Sequence, residues 1–209
     1  EIETLLKEIG VACKNFEGEL LFEPLESLKK DQTPYKVYTP FYKNCLKKIT
    51  PRTPIPAPEK VQLLKDVDSI TVEQLNLMPK NLWYKKLAPY WNIGEEAAEA
   101  QLVEFLSNGL PKYQKNRNFP FLKNVSRLSP HLHFGEISPN QIWYAAQERR
   151  GWEASDEDVD CFLSEIAWRE FSHYLLYYFT DLPDKNFQKK FDDFPWQNDD
   201  FLLNAWQKG

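Results

Sequence analysis

The chain has 209 residues, of which 42% are hydrophobic, 27% charged and 15% aromatic, a composition typical of a folded globular protein. No apolar run approaches the length of a membrane-spanning helix, and the first residues lack the basic and then apolar order of a signal peptide. The cysteines Cys13, Cys45 and Cys161 form no CxxC pair, which argues against a zinc ribbon and favours a reducing compartment. We therefore expect an intracellular protein, cytoplasmic if bacterial, with no membrane segment.

Charge is distributed unevenly along the chain. Residues 153–209 carry 13 acidic and 5 basic side chains, whereas no acidic residue occurs between Glu104 and Glu136. That acid-free strip contains Lys112, Lys115, Arg117, Lys123 and Arg127. Two interpretations remain open: a solvated basic loop, or a site for a phosphate-bearing ligand or nucleic acid. Since the sequence contains neither GxGxxG nor GxxxxGK[ST], a Rossmann loop and a P-loop are both unsupported.

The predicted elements are mostly helical. Two short apolar stretches predict a strand or hairpin-like piece within residues 11–22, and four prolines in residues 51–58 predict an extended linker and a domain boundary. Helices are predicted over residues 95–107, from Pro139 after a Ser138 cap to about Gln147, and from a Ser155 cap to about Phe179. The positions predicted to face the core are Ala98, Leu102, Phe105, Leu106, Ile142, Trp143, Ala146, Phe162, Ile166 and Tyr174.

Glu165, Trp168 and Arg169 stand three and four residues apart on the last of these helices, which places a carboxylate, an indole and a guanidinium on one face. A structural interpretation pairs Glu165 with Arg169 in an exposed salt bridge beside a half-buried Trp168. A functional interpretation makes the face a pocket wall, where the indole stacks on a flat base, the carboxylate hydrogen-bonds it and the arginine holds a phosphate or cofactor.

His131 and His133 would share a face if their segment were a strand, and could then bind a metal. No cysteine or third histidine stands near them, so ordinary hydrogen-bonded histidines are favoured and no metal site is predicted. Ser126 and Ser129 lack the GxSxG setting of a nucleophile elbow.

Four segments carry a resemblance to a known family. Residues 126–139, SRLSPHLHFGEISP, closely resemble the flavin-binding domain of DNA photolyases and cryptochromes. Residues 162–171, FLSEIAWREF, are similar to the family signature (L/I)xELxWREF, and residues 191–209 resemble the stretch that ends in W…LxxWxxG. Residues 33–42, TPYKVYTPFY, are similar to the PYKVFTPF segment that closes the family's antenna-chromophore domain.

The resemblance implies a mainly α fold, the N-terminal half of the helical FAD-binding domain preceded by the tail of the α/β antenna domain. It divides the chain into an antenna remnant at 1–50, an interdomain linker at 51–92 and a truncated FAD-binding domain at 93–209. Two further family segments, TGxPxVDAxMRxL and HNRxRM, are not in this sequence. We therefore expect an excised fragment that lacks part of the flavin pocket.

The resemblance also implies roles for individual residues. Glu165 matches the carboxylate that hydrogen-bonds dimerised pyrimidines, Trp168 the indole that stacks on them, and Arg117 a DNA-phosphate contact. Trp196 matches the outermost tryptophan of the photoreduction chain. Val125 stands where many members have threonine, which removes one hydroxyl donor. The residues matched to flavin contacts are Tyr113, Val125, Ser126, Arg127, Leu128, Ser129, Phe162 and Arg169.

The implied function is that of a class I-type deoxyribodipyrimidine photolyase, a lyase in which reduced, light-excited FAD passes an electron to cyclobutane pyrimidine dimers in UV-damaged DNA. Two alternatives stay open: a cryptochrome blue-light receptor, and a folded fragment that is inactive in isolation. The antenna chromophore, of folate or deazaflavin type, is left open, and no protein partner is inferred. Glu165 and Trp168 together favour repair, because a receptor has no need of a carboxylate and an indole aimed at a dimer.

Overall fold

The computed structural model describes residues 2–14, 16, 18–63 and 67–209, which fold into helices joined by turns and irregular segments. The α-helices are α1 (Ile2–Glu8), α2 (Tyr38–Lys48), α3 (Glu95–Glu104), α4 (Tyr113–Asn116), α5 (Ser129–Phe134), α6 (Pro139–Gln147), α7 (Asp156–Tyr178) and α8 (Asp200–Lys208). Within the described ranges no β-strand forms, and the predicted mainly α fold is confirmed. None of these helices is both long and apolar enough to cross a membrane.

Helix α7 is the central element, because α2, α4 and α6 all pack against it. It begins after Ser155, as predicted, where the backbone N–H of Asp158 donates a hydrogen bond to the Ser155 hydroxyl at 3.2 Å. It ends at Tyr178, one residue before the predicted end. Its predicted core positions Phe162, Ile166 and Tyr174 are all buried.

The other two predicted helices also form. Helix α3 continues as a π-helical turn over Phe105–Gly109, so helical backbone covers the whole of the predicted segment. A capping box opens α6: the Gln141 backbone N–H donates to the Ser138 hydroxyl at 3.2 Å, and the Ser138 backbone N–H donates to Gln141 Oε1 at 2.8 Å. The predicted core positions of both helices are buried: Ala98, Leu102, Phe105, Leu106, Ile142, Trp143 and Ala146.

The strand or hairpin predicted within residues 11–22 is wrong for the part that the structure describes; Asn15 and Glu17 lie outside the described residues. Leu21 and Phe22 are buried, as their apolar character requires, but they pair with no neighbouring strand. Their backbone N–H groups donate instead to the Glu170 carboxylate of α7, at 2.6 and 3.3 Å. A buried side chain thus satisfies the donors that a second strand would otherwise have taken.

The described part of residues 51–92 contains only short 3-10 turns, at Glu73–Leu75, Leu82–Lys86 and Ala88–Tyr90. Residues 51–58 form no regular structure, as the four prolines predict. The hydroxyl of Tyr144 donates to the Pro51 carbonyl at 2.7 Å and so ties the start of this segment to α6. Phe41 and Cys45 of α2 lie in the same core as α7. The division at 1–50, 51–92 and 93–209 stays a prediction.

Candidate flavin and DNA site along α4 and α7

The candidate site begins with a buried carboxylate that fixes α4 on α7. Asp158 Oδ2 accepts the backbone N–H of Lys112 and Oδ1 accepts that of Gln114, both at 2.9 Å. Asp158 is 8% exposed and also accepts the Ser155 hydroxyl at 3.0 Å. It therefore serves the start of two helices at once. The sequence identified Asp158 only as an acid in the first turn of α7. Its hydrogen bond to the Lys112 backbone was not predicted, because the two residues are 46 positions apart.

These two hydrogen bonds of Asp158 to the backbone of Lys112 and Gln114, here called the clamp, hold Tyr113 against the aromatic part of the core. The ring centroid of Tyr113 lies 5.6 Å from that of Phe105 and 5.5 Å from that of Phe162, in edge-to-face geometry. Phe105 and Phe162 complete the triangle at 4.6 Å. Burial raises the pKa of Tyr113 to about 12, while the nearby Arg117 guanidinium lowers it, so the phenol stays protonated at neutral pH. The structure brings the predicted residues Tyr113 and Phe162 together, and their contact with a flavin stays a prediction.

Arg117 caps the C-terminal end of α4 and forms an ion pair with Glu165 of α7. Its guanidinium also lies 5.6 Å from the ring centroid of Tyr113, and its Nη1 lies 3.6 Å from the Cys161 sulfur. The hydrogen bond to Glu165 raises the pKa of Arg117, so the guanidinium is charged at every working pH. Both side chains remain partly open to solvent, at 29% and 37% exposure. Two predicted DNA contacts are thus held together where DNA could reach them.

The structural interpretation of this face, a salt bridge between Glu165 and Arg169, is wrong. Arg169 donates to Glu170 Oε1 at 2.9 Å and to the backbone carbonyl of Glu19 at 3.1 Å. Glu170 is 1% exposed, whereas Glu165 is partly exposed to solvent. An unpaired charge costs more free energy when it is buried, so a countercharge stabilises Glu170 more than Glu165. Of the three residues predicted to share a pocket wall, Glu165 and Trp168 are the two that do not join this buried cluster.

Trp168 lies in a stack of rings on the solvent side of α7. Its centroid is 3.7 Å from that of Tyr38 with an interplanar angle of 12°, and Phe171 meets the indole edge-on at 6.0 Å. The side chain nevertheless keeps 45% of its surface exposed. Sequence reasoning missed Tyr38, which belongs to α2 and comes 130 positions before Trp168 in the chain.

The loop matched to the pyrophosphate site connects Asn124 to the start of α5. Gln101 Nε2 donates to the Ser126 carbonyl at 3.0 Å and Asn124 Nδ2 donates to the Gly109 carbonyl at 3.0 Å, so α3 and its π-helical turn position the loop. Arg127 has a left-handed backbone with φ of 54°. Leu128 is buried, whereas Val125, Arg127 and Ser129 are exposed and Ser126 is half-buried. Hydroxyls, a guanidinium and peptide N–H groups on one loop are a donor set that fits the pyrophosphate of FAD.

The metal hypothesis for His131 and His133 required a strand, but both residues lie in α5. His131 Nδ1 instead contacts Glu136 Oε2 at 2.6 Å, and this histidine lowers the pKa of Glu136. Among the residues that the structure describes, no group of three or more His, Cys, Asp or Glu side chains is arranged to hold a metal ion.

Trp196 lies between α7 and α8 in a segment without regular structure. It is 69% exposed, and its ring centroid is 4.6 Å from that of Phe194. The structure places it outside the packed core, and its role in electron transfer stays a prediction. Of the basic side chains in the acid-free strip, Lys112, Lys115, Lys123 and Arg127 are exposed to solvent and Arg117 is half-buried.

Comparison with known proteins agrees with this architecture. Residues 1–59 match the DNA photolyase family, and residues 162–209 match the FAD binding domain of DNA photolyase. The deoxyribodipyrimidine photo-lyase of Agrobacterium fabrum is 36% identical over 98% of this chain and 43% of its own length. That of Synechococcus is 33% identical over 99% of this chain and 44% of its own length.

Among solved structures, a bacterial class III photolyase from Agrobacterium tumefaciens superposes with a TM-score of 0.90 at 34% identity, over 99% of this chain and 43% of that one. The cryptochrome of Synechocystis shares the fold, with a TM-score of 0.71 at 21% identity, over 97% of this chain and 43% of that one. The match to the FAD binding domain of DNA photolyase indicates the class of protein, a flavoprotein. The chain belongs to the DNA photolyase and cryptochrome family. It spans less than half the length of these relatives.

Proposed function

We propose that the whole protein repairs UV-damaged DNA as a deoxyribodipyrimidine photolyase. The observation that carries this proposal is that Glu165 and Trp168 lie on one face of α7 and are both partly exposed to solvent. The cationic Arg117 contacts the Glu165 carboxylate. A flat base, a hydrogen-bonding group and a DNA phosphate can each find a matching partner within this small area. The class I-type assignment remains part of the proposal, and the Agrobacterium structure noted above is described as class III.

The loop of residues 125–129 and the contact between Tyr113 of α4 and Phe162 of α7 support FAD as the cofactor. Ser126, Arg127 and Ser129 would hold the pyrophosphate with their hydroxyls, guanidinium and peptide donors, while Tyr113 would contact the adjoining phosphate region. FAD, when bound, supplies the light-excited electron that splits the dimer. Phe162 is buried beside Tyr113 and supplies an apolar wall at this end of the site.

The side chains of α7 would act on the lesion itself. The exposed part of Trp168 can stack on one pyrimidine of a flipped-out dimer, and Glu165 can hydrogen-bond the dimer as negative charge develops on it. Arg117 holds that carboxylate in place, and both side chains of the pair stay partly exposed where they could meet DNA.

The test uses the whole protein, purified with its flavin, and an oligonucleotide that carries one cyclobutane pyrimidine dimer. We expect restoration of the intact pyrimidines under blue light and none in the dark. Cryptochrome-1 of Arabidopsis thaliana is 29% identical over 96% of this chain, which makes a photoreceptor the second candidate. Bound flavin that responds to light but leaves the dimer intact would overturn the repair proposal in favour of that candidate.

A further inference from the structure

Trp168 is held from one side by a tyrosine that belongs to a different helix. The rings of Tyr38 and Trp168 lie nearly parallel, with centroids 3.7 Å apart and an interplanar angle of 12°. We propose that Tyr38 is a positioning residue, which backs one face of the indole so that the opposite face is presented to a base of the damaged DNA. This inference rests on the proposed repair function and deepens it, because it identifies what orients the stacking side chain.

Tyr38 is itself held in place at several points. Its hydroxyl lies 2.9 Å from the Ser164 carbonyl, to which it donates, and 2.8 Å from the Ser164 hydroxyl. Tyr42, one turn later on α2, stacks on its ring with centroids 5.5 Å apart, and Phe171 meets the ring edge-on at 5.9 Å. Burial raises the pKa of Tyr38, so its hydroxyl remains a donor at neutral pH. The backing ring is therefore fixed both to α7 and to its own helix.

A backing ring has a physical consequence for the indole. A tryptophan that is 45% exposed on a helix surface would otherwise sample several rotamers, and ordering it on binding costs affinity. Contact with Tyr38 and Phe171 orders the indole in advance, while its exposed surface stays available. Preorganisation of this kind strengthens binding only of ligands that stack on Trp168. We therefore expect it to raise the affinity for damaged DNA and not the affinity for undamaged DNA.

A purely structural role for Tyr38 makes a different prediction. If the ring served only to pack α2 on α7, its loss would destabilise the fold and weaken the binding of damaged and undamaged DNA equally. The ratio of the two dissociation constants separates the roles, because a partly unfolded sample lowers both affinities together. Tyr144 supplies the matched control: it is also a half-buried tyrosine whose hydroxyl donates to a backbone carbonyl, that of Pro51, but it lies in α6.

The experiment compares Tyr38→Leu, Tyr38→Phe, Tyr144→Leu and Trp168→Ala in the whole protein. Each variant is titrated with an oligonucleotide that contains a cyclobutane dimer and with the same oligonucleotide undamaged. We expect Tyr38→Leu to weaken binding of the damaged DNA about three- to tenfold and Tyr38→Phe about twofold, with undamaged DNA unchanged. Tyr144→Leu should leave the ratio at the wild-type value. In the Trp168→Ala background, Tyr38→Leu should cause no further loss of discrimination, because the side chain that it positions is gone.

The outcomes distinguish this inference from the proposal beneath it. If Trp168→Ala lowers discrimination and neither Tyr38 variant does, the positioning role is overturned while the role of Trp168 stands. If Trp168→Ala itself leaves discrimination unchanged, the stacking role in the proposed function is wrong. Tyr38→Phe keeps the ring and removes only one hydroxyl, so it provides a folded variant even if Tyr38→Leu does not fold.

Discussion

Helix α7 carries two glutamates that each pair with an arginine, and the two pairs differ in almost every physical respect. Glu170 is 1% exposed, binds Arg169 and accepts the backbone N–H groups of Leu21 and Phe22. The Glu165 side chain is more than a third exposed and pairs with Arg117. One carboxylate is fully used in holding the fold together, whereas the other keeps accessible oxygen atoms. The difference teaches that an arginine partner by itself does not distinguish a structural carboxylate from a functional one; burial and remaining hydrogen-bonding capacity do.

The largest expected effect is on the buried pair. At pH 8, where Glu170 is ionised, Glu170→Ala should lower the free energy of unfolding by about 3–5 kcal/mol, because it removes the carboxylate that pairs with Arg169 and leaves two buried peptide donors without an acceptor. Glu165→Ala is the control and should cost no more than about 1 kcal/mol, as expected for a half-open pair. Urea unfolding of both variants measures the difference. Equal losses would remove the distinction between the two carboxylates.

The buried carboxylate should also make stability depend on pH. Burial raises the pKa of Glu170 from its ordinary 4.5 to about 7, although the Leu21 N–H and Arg169 oppose the rise. Between those two values the folded chain holds a proton that the unfolded chain has lost, so the stability that Glu170 contributes falls as pH rises and then levels off.

Glu170→Gln cannot titrate, which makes it the reference for this pH dependence. The unfolding free energy of the variant relative to wild type should rise by up to about 3 kcal/mol from pH 4.5 to pH 7. Urea titrations at half-unit intervals measure it. A flat difference would mean that the hydrogen bonds keep Glu170 ionised throughout this range.

A smaller effect is expected at Asp158, which joins the N-terminal ends of α4 and α7. Asp158→Asn replaces one acceptor by an amide donor that would face the Lys112 or Gln114 N–H, and should cost about 1–3 kcal/mol of unfolding free energy. Asp160→Asn, which alters an exposed partner of Arg150, is the matched control and should cost less than about 1 kcal/mol. Similar losses for the two variants would argue against the clamp.

On the open side of α7 the effect should appear in binding. Trp168→Ala should weaken binding of dimer-containing DNA by roughly 1–3 kcal/mol, the usual contribution of one base–aromatic stack, with undamaged DNA nearly unaffected. Titration with both DNAs measures it. Equal losses would make Trp168 a packing residue of the Tyr38 stack.

Local signals predicted the helices well and the partners of side chains poorly. Ser138 and Ser155 marked the starts of α6 and α7 because capping depends on the next three residues alone. The strand or hairpin predicted within residues 11–22 does not form in the described part, where the Phe22 N–H donates to Glu170, 148 positions later, and not to a second strand. Arg169 likewise pairs with the buried Glu170, and its other acceptor is the carbonyl of Glu19, 150 positions away in the chain. No pattern within one turn of helix contains that information.

The proximity of Glu165 and Trp168 was predictable, since spacing alone places both on one face of α7. The resemblance of residues 126–139 pointed to the phosphate loop in the same way. Tyr38, Asp158 and Glu170 were not predicted to serve the site or to hold the segments around it. Each makes its contact across a long stretch of sequence: Tyr38 of α2 with Trp168, Asp158 with the start of α4, and Glu170 with Leu21. These contacts form only when the chain folds, so local sequence patterns do not predict them.

The account depends most on Glu165 acting on the lesion and not on the fold. The direct measurement is the quantum yield of dimer repair by Glu165→Ala in the whole protein, together with its dissociation constant for dimer-containing DNA. We predict a severalfold lower yield with little change in binding, because the variant removes a hydrogen bond that matters most as charge develops on the dimer. An unchanged yield at unchanged flavin content would contradict the role assigned to Glu165.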